Sequence, residues 1–136
     1  MNEKARIKEY FDMFSPNYDE ENQKKYWRLS DEILLYHLNK RIKKEKFNFV
    51  DMGSGTGEWS KRFLDTYPKS KGQLYDVSDG MTEICTRKLS KYKTRVKIYK
   101  QDILDIGGKQ DVDYVFLLYV LMFAREQEEI LSICLL

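Results

Sequence analysis

The chain has 136 residues, of which 42% are hydrophobic and 34% charged, an ordinary globular composition of a length that suggests one domain. No apolar run approaches the roughly 20 residues that span a bilayer, and the charged start from Met1 to Lys8 lacks the apolar core of a signal peptide. A net charge of +2 argues against a nucleic-acid partner, and the two cysteines, Cys85 and Cys134, make neither a metal-ligand cluster nor a disulfide framework; a reduced, cytoplasmic setting is expected.

In chain order, Ile7, Tyr10, Phe11 and Phe14 recur at helical spacing and predict a short amphipathic helix over residues 3–14. Ser15-Pro16-Asn17 is expected to break it, with Tyr18-Asp19 in the break, because proline lacks a donor and restricts the residue before it. A second helix is expected from Asp31 to Ile42, capped by Ser30 or Asp31, with Ile33, Leu34, Leu38 and Ile42 facing inward. His37, the only histidine, falls on that inward face and reads as a packed core histidine, since nothing acidic or metal-binding is spaced to activate it.

Phe47 to Met52 is short, aromatic and β-branched, as a buried strand is. Gly53, Gly55 and Gly57 follow at alternate positions, and then Trp59, Phe63, Leu64 and Tyr67 at helical spacing, so the glycines lie on a strand-to-helix turn. Such a turn at the carboxyl end of a parallel strand is the usual place for a nucleotide-type ligand, and the alternative is a glycine-rich connection with no ligand. Asp51 adds a negative charge beside it.

The helix ends at Tyr67-Pro68, and Gly72 to Asp76 reads as the next strand. Asp76 lies 19 positions beyond Gly57, near the ~20 at which an acid grips the hydroxyls of a ribose. Asp79 is expected to cap a helix whose inward residues are Met81, Ile84, Cys85 and Leu89. A basic stretch from Arg87 to Lys100 reads as a solvated helix end and strand face. Val96 to Tyr99 alternates as a third strand, ending at Gln101-Asp102-Ile103, where the aspartate is either a turn residue or a ligand contact. Ile106 to Gln110 is a loop. Asp113 to Leu121, the most apolar run, reads as a strand buried on both faces, and a helix from Ala124 is expected to put Ile130, Leu131 and Cys134 on one face.

Val50-Asp51-Met52-Gly53-Ser54-Gly55-Thr56-Gly57 resembles the first motif of class I methyltransferases that use S-adenosylmethionine. Tyr75 to Met81 resembles the second, Gln101-Asp102-Ile103 the third, and the strand ending near Leu118 and Tyr119 the fourth. A dinucleotide-binding dehydrogenase shows Gly-x-Gly-x-x-Gly, and here the third glycine comes one residue early.

The resemblance implies an α/β, Rossmann-like parallel sheet of about four strands with flanking helices, incomplete on its carboxyl-terminal side because the family's sheet has seven strands. It implies a helical lid over residues 1–44 and a cofactor-binding core over 45–136. Asp51, Gly53, Ser54, Gly55 and Gly57 would receive the methionine end of the cofactor, and Asp76 with Val77 the ribose. Asp102 and Ile103 would receive the adenine, flanked by Met81, which is otherwise a core residue. Leu118 and Tyr119 would border the transfer site.

Tyr18, in a Pro-Asn-Tyr-Asp stretch like the lid of small-molecule members, would cover cofactor and substrate, and Arg28 would meet the cofactor carboxylate. Tyr18 and Tyr119 are the candidates for a catalytic part; no residue stands out as a general base, and no metal is implied. The acceptor would be a small molecule with a nucleophilic nitrogen, oxygen or carbon. Two other readings stay open: a non-catalytic S-adenosylmethionine-binding or interaction module, and a nicotinamide-dependent oxidoreductase fragment. The apolar fourth strand and the ending Leu135-Leu136 imply an uncovered edge, hence self-association through the carboxyl-terminal third.

Overall fold

β1 (Asn48–Met52), β2 (Lys71–Asp76), β3 (Val96–Lys100) and β4 (Tyr114–Phe116) form one parallel sheet, in the order β3-β2-β1-β4, in the computed structural model, which describes residues 2–22, 25–107 and 111–135. The helices are α1 (Glu3–Asn22), α2 (Lys25–Arg41), α3 (Glu58–Thr66), α4 (Asp79–Lys88) and α5 (Gln127–Leu135). This is the expected four-stranded, Rossmann-like arrangement. Met52 pairs with Tyr75, and Asp51 stands between Leu74 and Phe116. Because β2 and β3 lie on one side of β1 and β4 on the other, the chains leaving β1 and β4 diverge and open a crevice at the carboxyl ends.

Strand alternation sorts the core into two layers. Phe49, Leu74, Ile98 and Phe116 point toward α3 and α4, where they meet Phe63, Leu64, Cys85 and Leu89. Phe63 stacks on Phe116 with ring centroids 4.2 Å apart, a contact worth about 1 kcal/mol beyond its burial. Val50, Met52 and Tyr75 point the other way, onto Ile103, Ile106, Ile133 and Cys134, so α5 covers the second face. Arg95 donates to the carbonyls of Leu64, Tyr67 and Ser70, closing the carboxyl end of α3. That gives one member of the basic stretch a structural task.

Several expected boundaries moved. The first helix does not break at Ser15-Pro16-Asn17 but runs through Pro16 to Asn22, which places Tyr18 and Asp19 on a helix. Pro16 cannot donate to the Asp12 carbonyl; the Ser15 hydroxyl donates to it instead, at 3.0 Å, and offsets part of the ~3 kcal/mol that an internal proline costs. The second helix begins at Lys25, so Asp31 is interior to it and does not cap it. Its core stripe is Leu35, Leu38 and Ile42, whereas Ile33 and His37 lie on the adjoining side and are exposed.

Ser78, not Asp79, caps α4, its hydroxyl accepting from the Met81 N–H. The fourth strand stops at Phe116, well short of Leu121, and is only half-buried at Tyr114 and Val115, because it pairs with β1 alone among the described residues. α5 begins at Gln127 and turns Ile130 inward but Leu131 outward. The expected loop over Gly108-Lys109-Gln110 and the terminal Leu136 lie outside the described residues.

Candidate functional site

The glycine turn is held by the strand beside it. Gly53 and Ser54 both donate to the Tyr75 carbonyl, at 2.8 and 2.9 Å, and Gly55 donates to the Asp76 carboxylate at 2.8 Å. All three glycines have positive φ, but they differ in what surrounds them. A Cβ on Gly53 would stand 2.4 Å from Val120, and one on Gly57 2.6 Å from the Cys85 sulfur. Around Gly55 a Cβ would meet nothing within 4 Å, so this glycine faces open space. Gly57 is thus a packing glycine, buried against α4, and it does not wall either hollow described next.

Two adjoining hollows, of about 190 Å³ each, open at the carboxyl ends of the strands and share Gly53, Gly55, Tyr18, Leu118 and Tyr119. The first brings together Asp76, Val77, Met81, Asp102, Ile103 and Leu118. Asp76 Oδ2 accepts from the Gly55 N–H and Oδ1 from the Ser78 N–H, which orients the carboxylate at the cavity wall. Burial pushes its pKa up, and the N–H groups of Ser78, Gly55 and Val77 oppose that shift. Asp102 accepts from the Leu104 N–H and forms an ion pair with Lys4 at 3.2 Å. Met81 is 1% exposed, so it serves the core and the wall together.

Beneath the turn, Asp51 is buried and accepts from the Ser60 hydroxyl at 2.5 Å. Burial raises its pKa to about 6, against the lowering effect of Ser60 and with a smaller push from the Asp76 charge. Ser54 turns its hydroxyl into the interior beside Cys85, whose thiol is pushed up to about 12 by burial. What Ser54 contributes to the turn is backbone.

α1 lies across the crevice and is tied down along its length. Asp12 accepts from the Ser78 hydroxyl and the Gly80 N–H at the start of α4, and Lys8 bridges Asp12 and Asp79. Near its end, Asp19 accepts from Thr56 in the glycine turn at 2.6 Å and pairs with Lys88 at 2.7 Å. Tyr18 therefore reaches both hollows from a helix, with its phenol mostly buried and its pKa raised by that burial.

The second hollow is walled by Phe14, Trp27, Asp31, Trp59 and Arg62, together with Asp51 and the shared residues. Tyr119 stands at the junction with φ 60°, a strained setting for a tyrosine, and donates from its hydroxyl to Asp31 at 3.1 Å. Arg28 is exposed on α2 and walls neither hollow. Lys4, Arg62 and Phe123 belong to the walls although the sequence reading passed them over, and Asp31, read there as a helix cap, is a wall residue as well. With the second helix expected to start at Asp31, Trp27 lay outside it, and the i,i+4 relation of the two emerges only once α2 begins at Lys25.

Comparison with known proteins agrees with this fold. The family described as a methyltransferase domain matches residues 49–134. A malonyl-[acyl-carrier protein] O-methyltransferase of Ilyobacter polytropus is 26% identical over 115 residues, 84% of this chain and 41% of that protein. A demethylmenaquinone methyltransferase of Chlamydia caviae is 33% identical over 92 residues, 65% of this chain and 37% of that protein. The chain thus spans about two fifths of the length of the curated relatives it matches. Among solved structures, magnesium protoporphyrin IX methyltransferase from Synechocystis PCC 6803 with bound SAM superposes with a TM-score of 0.73 at 18% identity, covering 98% of this chain and 71% of that one. At that identity the likeness concerns the fold.

Proposed function

The chain belongs to the methyltransferase-domain family, and we propose that it carries the S-adenosylmethionine site and the transfer chemistry of an enzyme that methylates a small-molecule acceptor at nitrogen, oxygen or carbon. The observation behind this is the coupling of Gly55 to Asp76: one glycine leaves open space at the cavity, and its N–H orients the carboxylate that faces the same cavity. The donor set fits the cofactor. Asp76 keeps lone pairs for two ribose hydroxyls, Asp102 for an exocyclic amino group, and Val77, Met81 and Ile103 supply apolar surface for a flat ring.

S-adenosylmethionine supplies a methyl group already activated on a sulfonium, so the share of the protein is alignment of donor and acceptor. Gly53, Ser54, Gly55 and Asp51 would hold the methionine end, with Tyr18 above and Leu118 and Tyr119 at its border. Arg28 has no part in this assignment, given its exposure on α2. Residues 1–44 act as the lid and 45–136 as the core, a division supported by the row of ion pairs that docks α1. The nicotinamide alternative falls away with the family match.

Calorimetry with S-adenosylhomocysteine and with NAD tests the reading: binding of the first alone is expected, and binding of NAD alone overturns it. Methyl transfer by the chain then separates an enzyme from a binding module. No helix of the described residues is long and apolar enough to cross a membrane; a cytoplasmic location is part of the proposal, supported by free Cys85 and Cys134. Self-association is proposed from the outer edge of β4, unpaired among the described residues, and from Leu131, exposed on α5.

A further inference from the structure

The second hollow adjoins the proposed cofactor site and shares Tyr18, Leu118 and Tyr119 with it, so it is where an acceptor must lie if that reading holds. Its walls are unusual in two ways at once. They carry two groups of aromatic rings in contact: Tyr10 stacks on Phe14 at 5.8 Å and Phe14 meets Tyr18 edge-on at 5.7 Å, and separately Trp27 meets Tyr119 edge-on at 6.4 Å. They also carry more carboxylates than cations.

Asp19 and Glu58 share Lys88, at 2.7 and 3.1 Å. Arg62 lies over the Trp59 ring and spans Glu58 at 3.5 Å and Asp31 at 3.7 Å. Even with Asp51 protonated, among the described residues three carboxylates of the wall (Asp19, Asp31 and Glu58) face two cations, Arg62 in the wall and Lys88 behind it. The least compensated is Asp31, which is 9% exposed and has a neutral phenol at 3.1 Å and a guanidinium beyond hydrogen-bond distance. A carboxylate that deeply buried calls for a stronger partner.

Trp27 and Asp31 sit one turn apart on α2, and Tyr119 touches both, its ring against the indole and its hydroxyl on the carboxylate. Two electron-rich rings set at right angles and a buried acid at one corner form an arrangement suited to organic ammonium ions, through the ring quadrupole and direct charge. We infer that the acceptor taken by this hollow is an organic amine, recognised as its ammonium by Trp27, Tyr119 and Asp31. Before transfer the ammonium releases its proton to water at the mouth, where Trp27 is 47% exposed. The nitrogen lone pair then forms the new N–C bond as the C–S bond breaks, and the bonding pair leaves with sulfur. A carboxylate-bearing acceptor is disfavoured by the surplus negative charge. A neutral alcohol gains the aromatic contacts but not the charge.

The chain has two tryptophans, Trp27 and Trp59, and both wall this hollow, so intrinsic fluorescence reports on it. Three probes of like size are titrated at pH 7.5: phenethylamine, 2-phenylethanol and phenylacetate. Phenethylamine should half-saturate at about tenfold lower concentration than the alcohol, in keeping with a desolvated cation–π contact plus a charge pair, and phenylacetate should bind weakest. Asp31→Asn should erase the amine preference and leave the alcohol unchanged. Trp27→Leu, at an exposed position outside the buried core, should weaken the amine several-fold while Trp59 still reports. Equal binding of amine and alcohol, a preference for phenylacetate, or an unaltered preference in both variants overturns the inference. The inference rests on the cofactor reading, which calorimetry with S-adenosylhomocysteine examines on the same protein. Cofactor binding without amine preference removes this inference alone, whereas amine preference without cofactor binding removes the acceptor role and the cofactor reading together.

Discussion

Replacing Asp51 by asparagine should make the protein more stable and a poorer binder. Asp51 is 2% exposed, and its pKa stands near 6 because burial disfavours the charged form. An unfolded aspartate titrates near 4. The folded state therefore binds the extra proton between about pH 4 and 6, and stability falls as pH rises through that window. At pH 7 the accumulated cost is the shift of about two pKa units, roughly 3 kcal/mol at 1.36 kcal/mol each. Asparagine removes the charge and keeps an acceptor for the Ser60 hydroxyl, whose preference for the charged form is already contained in that shift. The gain at pH 7 is about 2–3 kcal/mol, which raises Tm by roughly 6–12 °C for a chain of this size. Thermal melts of both proteins from pH 4 to 8 make the comparison. The wild type should lose stability between pH 4 and 6 relative to the variant, and the two curves should converge toward pH 4, where the carboxyl is neutral in both states. S-adenosylhomocysteine affinity, measured by calorimetry, should drop about tenfold if the carboxylate receives the amino end of the ligand. A variant that melts lower at pH 7, or that keeps the wild-type pH slope, would refute the reasoning about burial.

Asp76→Ala leaves the Gly55 and Ser78 N–H groups without their acceptor and any ribose without its partner, so S-adenosylhomocysteine should bind about ten- to a hundredfold more weakly in calorimetry. Gly55→Val places a branched side chain at φ 54° in open space, and binding should be lost while the far-ultraviolet circular dichroism persists; normal binding in that variant would make the turn merely structural. Gly57→Ala should do the reverse, lowering Tm through a 2.6 Å approach to the Cys85 sulfur with affinity per folded molecule retained. Sedimentation at micromolar concentration should show association that Leu131→Lys weakens, since Leu131 is 46% exposed on α5; a monomer in both cases removes the idea. Leu136, where a lysine is a natural second choice, lies outside the described residues.

Much of the site was legible in the residues because its chemistry is local. The glycines at 53, 55 and 57 follow an aromatic strand and precede a helix of period 3.6, and that order alone locates the turn. The acids at 76 and 102 fall at strand ends because strand length is set by short-range alternation, and both line the first hollow. Period-two and period-3.6 patterns record which face is buried, so the sheet and its two covering layers could be anticipated too.

What tertiary contact decided was different in kind. Pro16 reads as a helix breaker until Ser15 takes over the Asp12 carbonyl and Asp12 docks on α4, sixty-six positions away at Ser78. His37 and Ile33 look inward on a helix that starts at Asp31, but once the helix begins at Lys25 its buried stripe is the one the sheet selects. Gly57 belongs to the same motif as Gly55, yet only the approach of Cys85 and Leu89 makes it a packing residue and leaves Gly55 to the cavity. The second hollow is the clearest case: Trp27 and Asp31 come from one helix, Arg62 from another, and Tyr119 from an irregular segment after β4. No spacing rule links positions 31, 62 and 119. Their meeting follows from where the crevice opens and how the helices cross it, which is a property of the folded chain and is not written in any one stretch of it.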